Sequence, residues 1–296
     1  MIPESAAGTI LLDEPDDSTG RRPEVQRGDL RRVLLDSLPP GTIRWRQRLA
    51  NAVPLGNGQH RLTFDNSPSV EVDLLVGADG AWSKVRPLLS AATPSYTGMA
   101  FIETYLHDVD TRHQAAAAAV GGGALFALAP GKGILAHREA NDVLHVYIAL
   151  NKPEHWLGDL ASDHDVRRRV LCEFEDWAPA LTALITDGET PPVLRPIHAL
   201  PIEHRWERAP GVTLLGDAAH LMSPFAGEGA NLAMFDGAEL GKAIADNPDN
   251  IEAALRIYEK ALFPRSQTAA EEAASNLKLL FNERAPLSLL DLFANY

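Results

Sequence analysis

Several things are scarce in the 296-residue chain, and each shortage removes a class of function. There is a single cysteine, Cys172, which excludes an intramolecular disulfide and any zinc site built from several thiolates. Lys and Arg number 27 against 40 Asp and Glu, a formal charge of −13 and the wrong sign for a phosphate-backbone partner, so no nucleic-acid partner is expected. No apolar run approaches the roughly 18 residues of a membrane-crossing helix, and the one at 115–120 is far too short, so no membrane partner is expected either. The amino end, Met1-Ile2-Pro3-Glu4-Ser5, has no basic region ahead of an apolar run and does not read as a secretory signal. There is no G-x-S-x-G, no H-E-x-x-H, and the ten histidines are scattered, so neither a nucleophilic triad nor a metalloprotease helix is encoded. What remains is a soluble, cytoplasmic chain, expected to be a monomer. Its 45% of hydrophobic residues suffice for one large core or two modest ones.

The pattern along the chain changes twice. Gly8-Thr9-Ile10-Leu11-Leu12 reads as a strand that runs into acidic turn residues 13–18 and the loop Gly20-Arg21-Arg22-Pro23. Leu30, Val33, Leu34, Leu35 and Leu38 fall at helical intervals after Asp29, a natural N-cap, and Pro39-Pro40-Gly41 ends that helix. Strands are expected over 43–49 and 61–64, the turn Gly56-Asn57-Gly58 lying between them, and a buried strand over 72–76. Between 93 and 202, apolar stretches at 125–129, 134–136 and 144–150 alternate with Gly and Pro. This predicts an antiparallel sheet, with helices over 163–177 and 179–186. The last fifty residues read as helix opening at Pro248-Asp249-Asn250, with Ile251, Leu255, Tyr258 and Leu262 on one face and Pro264 as a break or kink.

Two strand-to-helix junctions carry the chemistry. In Leu74-Leu75-Val76-Gly77-Ala78-Asp79-Gly80 a buried strand ends just before an aspartate, at the carboxyl end where ligands of parallel sheets collect; Asp-Gly is also ordinary turn chemistry. The second, Val212-Thr213-Leu214-Leu215-Gly216-Asp217-Ala218-Ala219-His220-Leu221-Met222, puts Asp217 at a strand tip, suited to binding a sugar hydroxyl. Pro224-Phe225-Ala226-Gly227-Glu228-Gly229-Ala230-Asn231 then leads into a helix. Its glycines allow close backbone approach to a flat ligand, and its first amides are unpaired at the positive end of a dipole.

The second junction resembles the carboxyl-terminal FAD motif of single-component flavoprotein monooxygenases of the aromatic-hydroxylase type, and the first resembles that family's internal Asp-Gly motif. Residues 21–35 are similar to its segment that sends an arginine to the flavin side chain. Among its branches, the tetracycline-inactivating monooxygenases are the nearest in pattern. The resemblance implies an α/β fold: an incomplete FAD-binding, Rossmann-like domain of the glutathione-reductase type (1–92 and 203–247), an antiparallel-sheet substrate domain (93–202) and a bracing carboxyl-terminal helix (248–296). It implies FAD as cofactor, NAD(P)H as a transient co-substrate, dioxygen, and a small aromatic or polycyclic substrate. It places Arg27 on the ribitol or pyrophosphate, Asp217 on ribitol, Pro224 beside the isoalloxazine, Gly227, Gly229, Ala230 and Asn231 at its pyrimidine edge, and Asp79 near the pyrophosphate or nicotinamide. Lys132, Ile134, His137, Met222 and Phe225 are the expected substrate-facing residues, although a solvated turn lysine and core-filling residues are the plainer readings of several of them. No catalytic residue is implied, because in such enzymes the cofactor does the hard chemistry.

One element of the family is missing from the 296 residues: G-x-G-x-x-G after an opening strand. Gly56-Asn57-Gly58, Gly131-Lys132-Gly133 and Gly227-Glu228-Gly229 all lack the third glycine. The helix start that would offset the pyrophosphate charge is thus not encoded, and weak FAD binding by the chain alone is expected. Two other readings compete: a non-catalytic remnant, or one half of a split flavoprotein. A halogenase or reductase reading is less favoured, since no W-x-W-x-I-P occurs.

Overall fold

The computed structural model describes residues 2–4, 8–14 and 25–293. The expected loop at Gly20–Pro23 and most of the acidic turn before it lie outside the described residues. Strands β1 (Ile2–Glu4) and β2 (Thr9–Leu12) form an antiparallel hairpin. Helix α1 (Arg27–Asp36) begins after Gln26, so Asp29 is not its cap; it sits in the first turn, paired with Arg32 at 2.7 Å. The apolar stripe of α1 finds little to pack on, and Val33 and Leu34 remain exposed.

Strands β3 (Leu49–Gly56), β4 (Gln59–Phe64) and β5 (Val70–Val72) make a three-stranded antiparallel sheet. Its tight turn uses Asn57 and Gly58, both at positive φ. The strand expected over 43–49 does not form: Arg46 takes a left-handed conformation, φ 61°, which breaks an extended run. The apolar run 72–76 is divided. Its first residue ends β5, and β6 (Leu75–Gly77) leaves to pair in parallel with β12 (Val212–Leu214), Leu214 opposite Gly77.

The middle of the chain builds the large sheet. In order come β7 (Ser95–His107), α2 (Val109–Arg112), α3 (Gln114–Val120), β8 (Ala124–Ala129), β9 (Lys132–Glu139), β10 (Val143–Asn151), α4 (Glu154–Ala161), α5 (Val166–Leu171), α6 (Pro179–Thr186) and β11 (Val193–Ala199). The seven strands lie in the order β11-β7-β10-β9-β8-β1-β2, antiparallel except where β1 meets β8. Strands β1 and β2 therefore extend this large sheet, whereas the sequence reading placed them in the FAD-binding region.

Period-2 alternation gives this sheet two unlike faces. Ile102, Leu106, Ile134, Leu144, Val146, Ile148 and Leu150 point to one side, where α3, α5 and α6 supply Val120, Val170, Leu181, Leu184 and Ile185 to a closed core. The opposite face carries Met99, Phe101, Leu128, Leu135, Tyr147 and Ala149, packed against the end of the terminal helices. After β12 come α7 (Asp217–His220), α8 (Gly229–Asp246), α9 (Ile251–Phe281) and α10 (Leu287–Phe293). Asn250 caps α9, its side chain accepting the Ala253 N–H at 3.0 Å, and the helix continues through Pro264 rather than ending there. It joins two cores: Leu255, Tyr258 and Leu262 pack with β6, β12 and α8, whereas Leu280 and Phe281 lie under the large sheet. Among the described residues no helix is long and apolar enough to cross a membrane.

Gly211 is the tightest point at the base of β12. It adopts φ +70°, donates its N–H to Glu252 at 2.7 Å, and a Cβ there would lie 1.8 Å from the carbonyl oxygen of Gly58. Gly211→Ala is expected to cost more than about 2 kcal/mol, from the left-handed strain plus a backbone collision. Thermal denaturation would show it as a lowered Tm; an unchanged Tm would contradict the packing.

Candidate functional site

Parallel pairing of β6 and β12 brings two loops together that are more than a hundred residues apart in sequence: the one after Gly77 and the one after Leu214. Arg86 locks them. Its buried guanidinium donates to the carbonyls of Ala218 at 2.8 Å, Asp217 at 3.1 Å and Ala81 at 2.8 Å. Burial lowers the pKa of Arg86, while the charges of Asp79 and Asp217 oppose that fall. Asp79 is engaged within its own loop, accepting from the Ser83 hydroxyl at 2.5 Å and the Lys84 N–H at 2.6 Å. His204 adds a second clasp: Nδ1 lies 2.6 Å from the Ala219 carbonyl and Nε2 3.0 Å from the Ser90 hydroxyl. Burial lowers its pKa, so the ring stays neutral, donates from Nδ1 and accepts at Nε2.

The turn at Gly216-Asp217 is held from the other side by Asp236 of α8. This fully buried carboxylate accepts the Gly216 N–H at 3.0 Å, His220 Nε2 at 2.6 Å and an Arg265 N–H at 2.9 Å. Gly216, φ +58°, lies so close to α8 that an added Cβ would stand 3.1 Å from Ala233. The Asp217 carboxylate is left exposed and makes no side-chain hydrogen bond among the described residues. Beside it α8 opens. The Leu232 N–H is the first to close a helical turn, onto the Glu228 carbonyl at 2.8 Å, so the amides of Gly229, Ala230 and Asn231 have no partner within the helix. A Cβ on Gly229 would meet nothing within 4 Å. The intervening loop, with Pro224 exposed and Gly227 at φ +71°, is pinned to α9 by two bonds. Ser223 donates to the Ala273 carbonyl at 3.0 Å, and Asn276 to the Phe225 carbonyl at 3.0 Å.

Phe225 connects this loop to the large sheet. Its ring meets Phe101 edge-on at 5.5 Å, and Phe101 meets Tyr147 at 5.0 Å. Burial raises the Tyr147 phenol pKa, the charge of Glu103 adds to the rise, and the positive charges of Arg195 and Arg27 oppose it. Beyond Tyr147 the face turns polar, with His145, Glu103, Tyr105, His137, Glu139 and Arg195.

The expected substrate residues divide accordingly. Phe225 and His137 lie on this face, and His137 is 40% exposed. Met222 is half-buried and lines a small cavity with Thr97, Leu200 and Leu277. Ile134 does not fit a substrate wall: it is fully buried in the helix-covered core. Lys132 is likewise committed elsewhere. Its ammonium donates to the Glu173 carbonyl at 2.6 Å and Asp176 at 3.2 Å, near the rings of Phe174 and Trp177. Sequence reasoning singled out neither Arg86, Asp236 nor His204. Asp236, four residues after Leu232 on the core-facing stripe of an expected helix, is a buried-acid signal that the pattern did contain.

The arrangement can accept hydrogen bonds at a strand tip and donate them from an open helix end. Residues 57–273 match the FAD binding domain family. Monooxygenase asqM of Emericella nidulans is 29% identical over 97% of this chain and 78% of its own length. In fold, the chain superposes on Klebsiella pneumoniae HpxO complexed with FAD and uric acid with a TM-score of 0.74 at 24% identity, covering 92% of this chain and 67% of that one. The tetracycline destructase Tet(51) superposes with a TM-score of 0.68 at 18% identity, over 99% of this chain and 76% of the other. The chain belongs to the FAD-dependent monooxygenase family whose cofactor domain this is.

Asp236 gives the site a pH signature. Burial alone would raise its pKa, but the bonds from His220, the Gly216 N–H and Arg265 hold it below the ordinary value. The stability it contributes is complete above the unfolded-state pKa of about 3.9 and is lost as pH falls through the folded value. Asp236→Asn is expected to cost about 3 kcal/mol at neutral pH. It should also flatten the acid limb of a stability–pH curve measured by urea denaturation; an acid limb equal to that of the parent would contradict the assignment.

Proposed function

We propose that this chain supplies the flavin-edge and substrate-sheet parts of an FAD-dependent hydroxylase, acting with NAD(P)H and dioxygen on a small aromatic or polycyclic substrate. The observation that carries the proposal is the joint presentation of the exposed Asp217 carboxylate and the open amides of Gly229, Ala230 and Asn231, on loops that Arg86 and Asp236 hold rigid. These groups fit a flavin. Asp217 would accept from ribityl hydroxyls, the helix amides would face the electron-rich pyrimidine edge, and Pro224 and Gly227 would let the ring lie flat against the loop. Arg27 and Asp79 are proposed nearer the phosphate end, Arg27 as an exposed cation at the start of α1 and Asp79 through its loop. FAD, when bound, supplies the activation of dioxygen and the delivery of one oxygen atom to an electron-rich carbon.

The chain's own residues hold and shield the substrate. Half-buried Phe225 and Tyr147, with Phe101 buried behind them, offer an aromatic surface at the flavin loop, Met222 flanks it, and His137 borders its polar side. Such a surface suits a planar ring system and favours exclusion of water. The name of Tet(51), a tetracycline destructase, and the uric acid bound by HpxO support planar, oxygen-rich substrates for this chain.

A second reading, one half of a two-piece flavoprotein, draws on a specific observation. Apolar side chains on α1 and α8 stay uncovered, including Val33 at 64% exposure and Phe235 at 48%. FAD titration followed by fluorescence quenching, with NADPH oxidation measured in parallel, tests both readings. Weak binding by these 296 residues alone is expected, because they contain no glycine-rich phosphate turn. Asp217→Ala should weaken FAD binding a further roughly tenfold, about 1.5 kcal/mol for a hydrogen bond to a charged group, without lowering Tm. Equal affinity in the variant would remove Asp217 from the flavin contacts.

A further inference from the structure

On the face of the large sheet that meets Phe225, polar side chains converge in a way that hydroxylation of an aromatic ring does not require. His145 is 8% exposed, and both of its ring nitrogens face carboxylates: Nε2 lies 2.7 Å from Glu103 and Nδ1 2.9 Å from Glu139. Glu103 is itself fixed, by Arg195 Nε at 2.7 Å on one oxygen and the Tyr105 hydroxyl at 3.2 Å on the other. The Tyr105 ring stacks on His145 at 4.1 Å, which restrains rotation of the imidazole.

A neutral imidazole has one N–H. With that proton given to Glu103, the Nδ1 lone pair and the Glu139 oxygen are two acceptors facing each other, a gap that a cation fills: a second ring proton, or a metal ion. His137 Nε2 comes to 3.3 Å from the same Glu139 oxygen, and the three atoms all lie within 4.8 Å of one another. Bonds of about 2.1 Å around a tetrahedral ion set ligand atoms roughly 3.4 Å apart, so only small side-chain adjustments separate this cluster from a coordination sphere.

The geometry points to a divalent transition-metal site at His137, Glu139 and His145, with Glu103 as the carboxylate that orients His145 from behind. Two imidazoles and one carboxylate select zinc-class ions over magnesium or calcium, which take oxygen ligands. A carboxylate on the far nitrogen of a ligating histidine is the usual support of such a site. His137 is the exposed member, so the open coordination position faces solvent on its side. His145 lies 4.3 Å from Tyr147, so an ion here would adjoin the aromatic surface that reaches Phe225. The site is independent of whether the chain hydroxylates anything.

The untagged chain, stripped with chelator and dialysed, would be titrated with zinc chloride by calorimetry, with metal analysis after gel filtration. One zinc per chain is expected, with His145 Nδ1 as a ligand in nitrogen-15 spectra of the histidine rings. Glu139→Gln and His137→Asn should each weaken binding at least about tenfold, and Glu103→Gln by about 10–100-fold. Three results would overturn the site. One is clearly less than one zinc bound; another is equal affinity in folded Glu139→Gln and His137→Asn. The third is a His145 ring that stays doubly protonated in the presence of one equivalent of zinc, which would make a proton the cation between Glu103 and Glu139. The parent titration and the ring spectra hold even if a variant fails to fold.

Discussion

A single buried cation holds the flavin end of this molecule together. Strands β6 and β12 contribute three residues each, too few for ladder hydrogen bonds alone to fix the loops beyond them. Arg86 does so by placing its planar guanidinium among carbonyl oxygens from both loops. A charge taken out of water is costly unless its donors are satisfied, and here the peptide dipoles of residues 81, 217 and 218 satisfy them. Arg86 therefore has few alternative positions, and neither do the loops.

The second constraint is the line of buried acids on the helices behind the pair. Asp236 on α8 gathers the Gly216 N–H, His220 and Arg265. On α9, Glu259 gathers the Trp206 indole N–H at 2.9 Å, the Thr213 hydroxyl at 2.8 Å and Arg208, and Tyr258 donates to the Leu214 carbonyl at 3.0 Å. Apart from Arg265, which ties α9 to α8, each of these contacts joins a helix to β12 or to the segments flanking it. Because α9 continues under the large sheet, the backbone that carries Asp217 and the loop that carries Phe225 share one rigid support. An open helix end can only be useful to a ligand if it does not move relative to the carboxylate beside it, and that is what these bonds secure.

The junctions were legible in the sequence because their chemistry is local. A buried strand, a glycine at positive φ, an acid at the tip and a helix start all fall within a few residues of one another. Helix α6 and the opening of α9 at Pro248-Asp249-Asn250 were readable for the same reason. The large sheet was harder. Strand β7 is buried along most of its length on both faces, so it shows no alternation to mark it. Lys132, Ile134 and His137 were taken together as one surface, yet strand parity forbids it: 132 and 134 share a face, and 137 lies on the other. Phe101, which meets the Phe225 ring, and Tyr147, which meets Phe101, come from strands that only the fold brings near. Arg86 escaped notice because an arginine after a turn looks solvated until its long-range carbonyl partners are known.

The unlike faces of the sheet explain how such polar groups can sit among its strands. Helices α3, α5 and α6 seal one face with aliphatic side chains, and that face supplies the apolar burial which keeps the strands in register. The other face is released from that duty. It can hold Glu103 and His145 nearly buried because Arg195, the Tyr105 hydroxyl and the imidazole supply hydrogen bonds to the carboxylate on strands that keep them in place. Replacing a residue on the sealed face would loosen the strand spacing on which the polar network depends, so the chemistry of one face is limited by the packing of the other.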